Sequence, residues 1–153
     1  MEKGELMRLV KYALPIVLVS AVPAKALLVT DVAWPNIDSY CTFQRAEQKL
    51  VYDDPETWKF VFFSNVDGSG MNRPETAFAA IRYQLHELEL VDSSETAGGE
   101  TRTYRTFSGP DFSFMLNLSV TEEGGEYTSY KGTMTVEGDG ETETIQIHGD
   151  CGV

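Results

Sequence analysis

The chain is predicted to fold as α+β: a single antiparallel sheet of about six strands in the order ββαββββ, with one helix packed on one face, after a cleaved signal peptide. Three observations predict it. In residues 112–120, Phe112, Phe114, Leu116, Leu118 and Val120 alternate with Ser113, Asn117 and Ser119, which is the period of a strand with one buried face. Phe78, Ile81, Leu85 and Leu88 succeed one another at helical spacing, which makes a single apolar stripe. The first 26 residues have the layout of an export signal and stand outside the fold.

That leader has three parts. Lys3, Arg8 and Lys11 form a basic head, residues 13–22 are apolar, and Ala24 and Ala26 are the small residues a signal peptidase reads. Cleavage is expected after Ala26. The apolar stretch is shorter than the roughly 20 residues needed to span a bilayer. Residues 27–153 are expected to be a single secreted domain in the periplasm or outside the cell.

The leader takes four basic and two acidic residues with it. The remaining 127 residues carry 8 basic and 22 acidic side chains, a net charge of −14 against −12 for the whole chain. Such a surface repels nucleic acid and anionic headgroups, and a cationic partner suits it. An even pair of cysteines, Cys41 and Cys151, reads as one disulfide in an oxidising compartment. It would join the two ends of the domain.

Within the domain, residues 27–40 form an irregular lead-in with a turn at Trp34-Pro35-Asn36. Residues 43–52 are a first strand, and residues 53–56 a polar turn broken by Pro55. Residues 57–64, aromatic and β-branched, are a second strand. The predicted helix runs over residues 74–91, with Pro74 and Glu75 favourable at its start. Arg82, His86 and Glu89 occupy its exposed side. Residues 92–100, rich in Ser, Gly and Glu, read as a mobile connector. Strands over residues 102–107, 112–120, 127–136 and 143–148 then form a meander, with turns at Ser108-Gly109-Pro110, Gly124-Gly125 and Gly138-Asp139-Gly140. Ile145, Ile147, Cys151 and Cys41 share the parity of the core face.

Few groups point to chemistry. Asn65, Asp67 and Ser69 with Gly70 match the opening half of a calcium loop, with a helix expected after it. Thr76 stands where the bidentate Glu belongs, so the match is incomplete. His148, Asp150 and Cys151 make a metal corner only if the thiol is free and more ligands converge. His86 beside Glu87 and Glu89 is an acid–base candidate that a polar helix face would simply solvate. No nucleophile elbow and no phosphate-cradling Gly loop is present. Asn117-Leu118-Ser119 is a glycosylation sequon, and Tyr83, Tyr127 and Trp34 are candidate exposed aromatics. No catalytic residue, cofactor or complete metal site is assigned. The expectation is a non-catalytic binding or accessory protein of the cell envelope, acting on an envelope protein or a small ligand. The alternatives are a small secreted hydrolase or a calcium-binding module.

Overall fold

The computed structural model of the protein describes residues 29–33, 39–65 and 75–152. The predicted α+β sheet is overturned: these residues contain eleven strands, one short 3₁₀ turn at Pro55–Thr57 and no α-helix. The strands are β1 (Val29–Thr30), β2 (Val32–Ala33), β3 (Cys41–Arg45), β4 (Lys59–Phe60), β5 (Phe62–Asn65), β6 (Thr76–Ile81), β7 (Gln84–Thr96), β8 (Gly99–Thr106), β9 (Ser113–Glu123), β10 (Tyr127–Gly138) and β11 (Glu141–Gly152). Eight of them close into an antiparallel barrel in the circular order β3, β5, β6, β7, β8, β9, β10, β11 and back to β3. Each barrel strand pairs with its neighbours in the chain, and the last pairs with the first. β1 adds to the edge of β6 beyond β5, and β2 pairs with β4 outside the barrel.

The helix predicted over residues 74–91 is the hairpin β6–β7. Ala77, Ala79 and Ile81 face inward on one strand, and His86 and Leu88 on the other. The stripe divides accordingly: Ile81 and Leu88 are buried, whereas Leu85 faces out and is 43% exposed. Ala, Leu and Glu favour a helix locally, but only strands here close the sheet. A helix would leave the edges of β5 and β8 unpaired. The connector predicted over residues 92–100 is also ordered strand. β7 runs to Thr96 and β8 starts at Gly99, with the turn made at Gly98, whose φ is +86°. Its polar composition reflects its place at a barrel end, where even inward side chains meet water.

The first two predicted strands are shorter or split. The one expected over residues 43–52 is β3, which ends at Arg45. The one over residues 57–64 breaks at Val61, so β4 leaves to pair with β2 while β5 joins the barrel. The meander is where expected, and β9 turns in Phe114, Leu116 and Leu118. Phe43, Phe62, Leu88, Tyr104, Phe114, Leu116, Met134 and Ile147 fill the middle of the barrel, so it is packed through its centre, as small barrels are. At Gly149, directly across from Phe43, an added Cβ would come within 1.9 Å of the Thr42 carbonyl oxygen and 2.8 Å of the Phe43 ring.

Cys41 and Cys151 form the expected disulfide. They are register partners on β3 and β11, so the bridge lies on the seam where first and last strands meet. Both are nearly fully buried.

Candidate functional site

Antiparallel pairing sorts the loops to two ends. One end carries the β3–β5 connection, the Arg82–Tyr83 turn, residues 107–112 and the Asp139–Gly140 turn. The other carries the β7–β8 and β9–β10 turns and the starts of β3 and β6.

The first end is closed. Phe112 is buried against Gly138, where a Cβ would fall 2.2 Å from its ring. His86 meets Phe112 edge-on, with ring centroids 5.3 Å apart. Val29, 1% exposed, lies across this end. Its N–H donates to Glu143 Oε2 of β11 at 2.9 Å, its carbonyl accepts from Arg45 of β3 at 2.7 Å, and it pairs with Ile81 of β6.

The second end is polar inside. Inward parity on β8 runs Glu100, Arg102, Tyr104, as their partners Leu118, Leu116 and Phe114 on β9 require. Arg102 Nη1 lies 3.0 Å from both carboxylate oxygens of Glu75, just before β6, and Nε lies 3.0 Å from Glu100 Oε2. The Tyr104 hydroxyl donates to Glu75 Oε1 at 2.9 Å. Burial opposes the charge on Arg102 more than any other single influence, but Tyr104, Glu75 and Glu100 together hold its pKa above the ordinary value. The guanidinium is therefore permanently charged. Burial, then the charge of Glu75, pushes the Tyr104 phenol up. Tyr130 of β10 is raised by burial first and then by the charge of Glu100 beside it. Glu100 Oε1 is shut off from solvent and accepts no hydrogen bond. Beside this group lies a cavity of about 230 Å³ bounded by Glu75, Leu90, Ser93, Ser94, Glu95, Glu100 and Arg102. We call this end the mouth.

The residues singled out in the sequence do not assemble. His86, expected on a solvated helix face, is inside the barrel at the closed end, and burial lowers its pKa. His148 is on the outer face of β11, where its Nε2 lies 2.8 Å from the Gln48 carbonyl. The barrel wall therefore separates the two histidines. Asn65 ends β5 and pairs with Thr76, while Asp67 and Ser69 lie outside the described residues, as does Trp34. A strand, β6, stands in place of the helix expected after a calcium loop. Among the described residues no three His, Cys, Asp or Glu side chains converge to hold a metal. Cys151 is in the disulfide, so the metal corner at His148 loses its thiolate. Asn117 is exposed on β9, and Tyr83 and Tyr127 are exposed at opposite ends.

Glu75, Glu100 and Arg102 were not legible as a site. Arg102 reads in sequence as local relief in an acidic chain. The available signal was alternation: Glu100, Arg102 and Tyr104 share a parity that strands on either side make inward. In comparisons with known proteins, no family model matches the chain, and no curated protein or solved structure matches it significantly.

Proposed function

We propose that the protein is an exported, non-catalytic binding module of the cell envelope that holds its ligand at the mouth of the barrel. The observation that carries this reading is the asymmetry of the interior. Apolar packing fills the centre and one end, while the other end keeps a cavity walled by charged and hydroxyl side chains. A concave site with a few convergent polar groups at a barrel mouth is a common place for a ligand. The barrel wall separates His86 from His148, so these two do not act together as the acid and base of the hydrolase alternative.

Export is supported by the leader and by the disulfide, which suits an oxidising compartment. The outer wall carries Thr101, Thr103, Asn117, Lys131, Thr133 and Gln146, and the centre of the interior is apolar. That is the reverse of a membrane-spanning barrel, whose apolar band faces out. With the leader removed, the domain is a soluble body.

Chemical-shift mapping of the exported, oxidised protein against millimolar sugars, amino acids, amines and carboxylates tests the site. Perturbations centred on residues 93–102 and on Tyr130 are expected. Perturbations confined to the closed end, or none anywhere, would overturn the proposal. Intact mass should show a chain beginning at Leu27 with no free thiol, and retention of residues 1–26 would remove the cleaved-leader part of it.

A further inference from the structure

The expected cleavage point lies close to docked strand. Val29 is the third residue after the Ala26–Leu27 bond, and it is buried where it crosses the closed end. Both of its backbone groups are engaged. The N–H donates to Glu143 Oε2 at 2.9 Å, and the carbonyl accepts from Arg45 Nη2 at 2.7 Å. Thr30 is buried as well, and its Oγ1 accepts from the Tyr83 N–H. The Asp31 carboxylate accepts from Arg45 Nε and from Gln48 Nε2, and Val32 pairs with Phe60. A peptidase holds its substrate as an extended strand, with backbone N–H and C=O groups near the scissile bond free to pair with the enzyme. While β1 is docked, only Leu27 and Leu28 separate that bond from backbone already committed to the barrel.

We infer that docking of β1 and removal of the leader exclude one another, so that the order of the two events decides whether the protein is freed or stays tethered. This rests on the cleaved-leader part of the reading above and adds its timing. The gated step is hydrolysis of one peptide bond by the peptidase, with water as co-reactant, giving a carboxylate on Ala26 and an ammonium on Leu27. Cleavage first leaves a free domain whose β1 then docks. Folding first shields the Ala26–Leu27 bond, and the chain keeps its leader. Strand β1 crosses the end opposite the mouth, so a retained leader departs from the closed end. The seven residue steps from Val22, the last of the apolar stretch, to Val29 span at most about 25 Å. A chain that folds first is thus held with its closed end toward the membrane and its mouth away from it.

The test is an order-of-addition experiment on the full chain with purified signal peptidase in detergent micelles, read by intact mass. Chain diluted from urea into the peptidase should be cut after Ala26. Chain folded and oxidised beforehand should be cut about 100-fold more slowly, because each cut then waits for β1 to open. Inserting Gly-Ser-Gly-Ser between Leu28 and Val29 lengthens the approach ahead of β1. It should bring the folded chain to within about 3-fold of the rate for the unfolded one. Glu143→Ala with Arg45→Ala loosens β1 from the barrel side and leaves the residues around the bond unchanged. It should speed cutting of the folded chain by about 10-fold, and the insertion keeps the test valid if this pair fails to fold by near-UV circular dichroism. Equal rates in the two orders overturn the inference and leave the cleaved leader standing. Continued resistance of the folded insertion variant overturns it too, since the protection then has another cause. No cutting after Ala26 in either order overturns both.

Discussion

At one end of the barrel Phe112 lies over Gly138, and Val29 bridges Arg45 and Glu143. At the other, Arg102 stands between Glu75 and Glu100 beside an open cavity, and the Cys41–Cys151 bridge fastens the seam. Apolar burial holds the closed end. At the mouth a covalent link and the ion pairs of Arg102 with Glu75 and Glu100 replace the packing given up there. Strength and accessibility are thus divided along one axis, and each end should fail in its own way.

Removing the bridge is the largest way to break the contrast. Cys41 and Cys151 are 110 residues apart in sequence, and opening a loop of that size costs about 4–5 kcal/mol in the chain-entropy model. The Cys41→Ala, Cys151→Ala pair should lose stability on that scale in urea denaturation. Amide exchange should rise first in β3 and β11 near the mouth, while β6 and the start of β7 stay protected. Uniform loss of protection along all strands would mean that the two ends are one cooperative unit.

Truncating each end's central side chain comes next. Phe112→Ala should cost about 3–4 kcal/mol, the scale of a buried Phe whose space does not refill. Arg102→Met should cost about 2–3 kcal/mol, because Glu75 and Glu100 are then left half-buried without a counter-charge. The closed-end loss has no simple rescue. Converting Glu75 and Glu100 to Gln in the Arg102→Met background should recover most of the mouth's loss. Failure of that rescue would show Arg102 to be held by its packing rather than by its charge.

The meander, the inward face of β9 and the disulfide were legible because each rests on a local period or on a count. Phe114–Leu116–Leu118 can be read without knowing what pairs with them, and two cysteines have one pairing. The hairpin β6–β7 was hidden because its residues support two periods. Ala77–Ala79–Ile81 and His86–Leu88–Leu90 alternate at two, while Phe78–Ile81–Leu85–Leu88 recur as in a helix. What decides between them is closure of the barrel, a contact between segments far apart in the chain. The mouth was hidden for the same reason: Glu75 and Arg102 meet only when β6 and β8 flank β7. Their neighbours in sequence give no sign of it.

A pH titration sharpens the comparison with a smaller effect at the closed end. His86 sits against Phe112, and burial lowers its pKa below the ordinary 6.5. As pH falls, the unfolded chain takes up this proton before the folded one does. Stability should therefore be level above about pH 6.5 and decline below it, by at most about 1.4 kcal/mol per pH unit, until the folded pKa is reached. His86→Phe should remove this slope between pH 7 and 5.5. If the slope survives, the titrating group lies elsewhere, and the closed end is not the acid-sensitive one.

The smallest effect expected is at the turn that finishes the closed end. Arg82 and Tyr83 join β6 to β7 with φ of +51° and +65°, where a two-residue hairpin turn usually places Asn and Gly. Each non-glycine residue held there costs about 1–2 kcal/mol. Arg82 recovers part of that through Asp139 and Glu141 at 3.3 and 2.8 Å, although exposed pairs contribute little. Tyr83 is 85% exposed. Its backbone N–H donates to Thr30 Oγ1 at 3.0 Å, a bond that any residue but proline keeps. Tyr83→Gly should thus raise stability by about 0.5–1 kcal/mol, the strain relieved less the entropy glycine adds to the unfolded chain. A gain in thermal midpoint with unchanged amide exchange at the mouth would keep the two ends separate. A loss would mean that the Tyr83 ring stabilises the closed end by more than its exposure suggests.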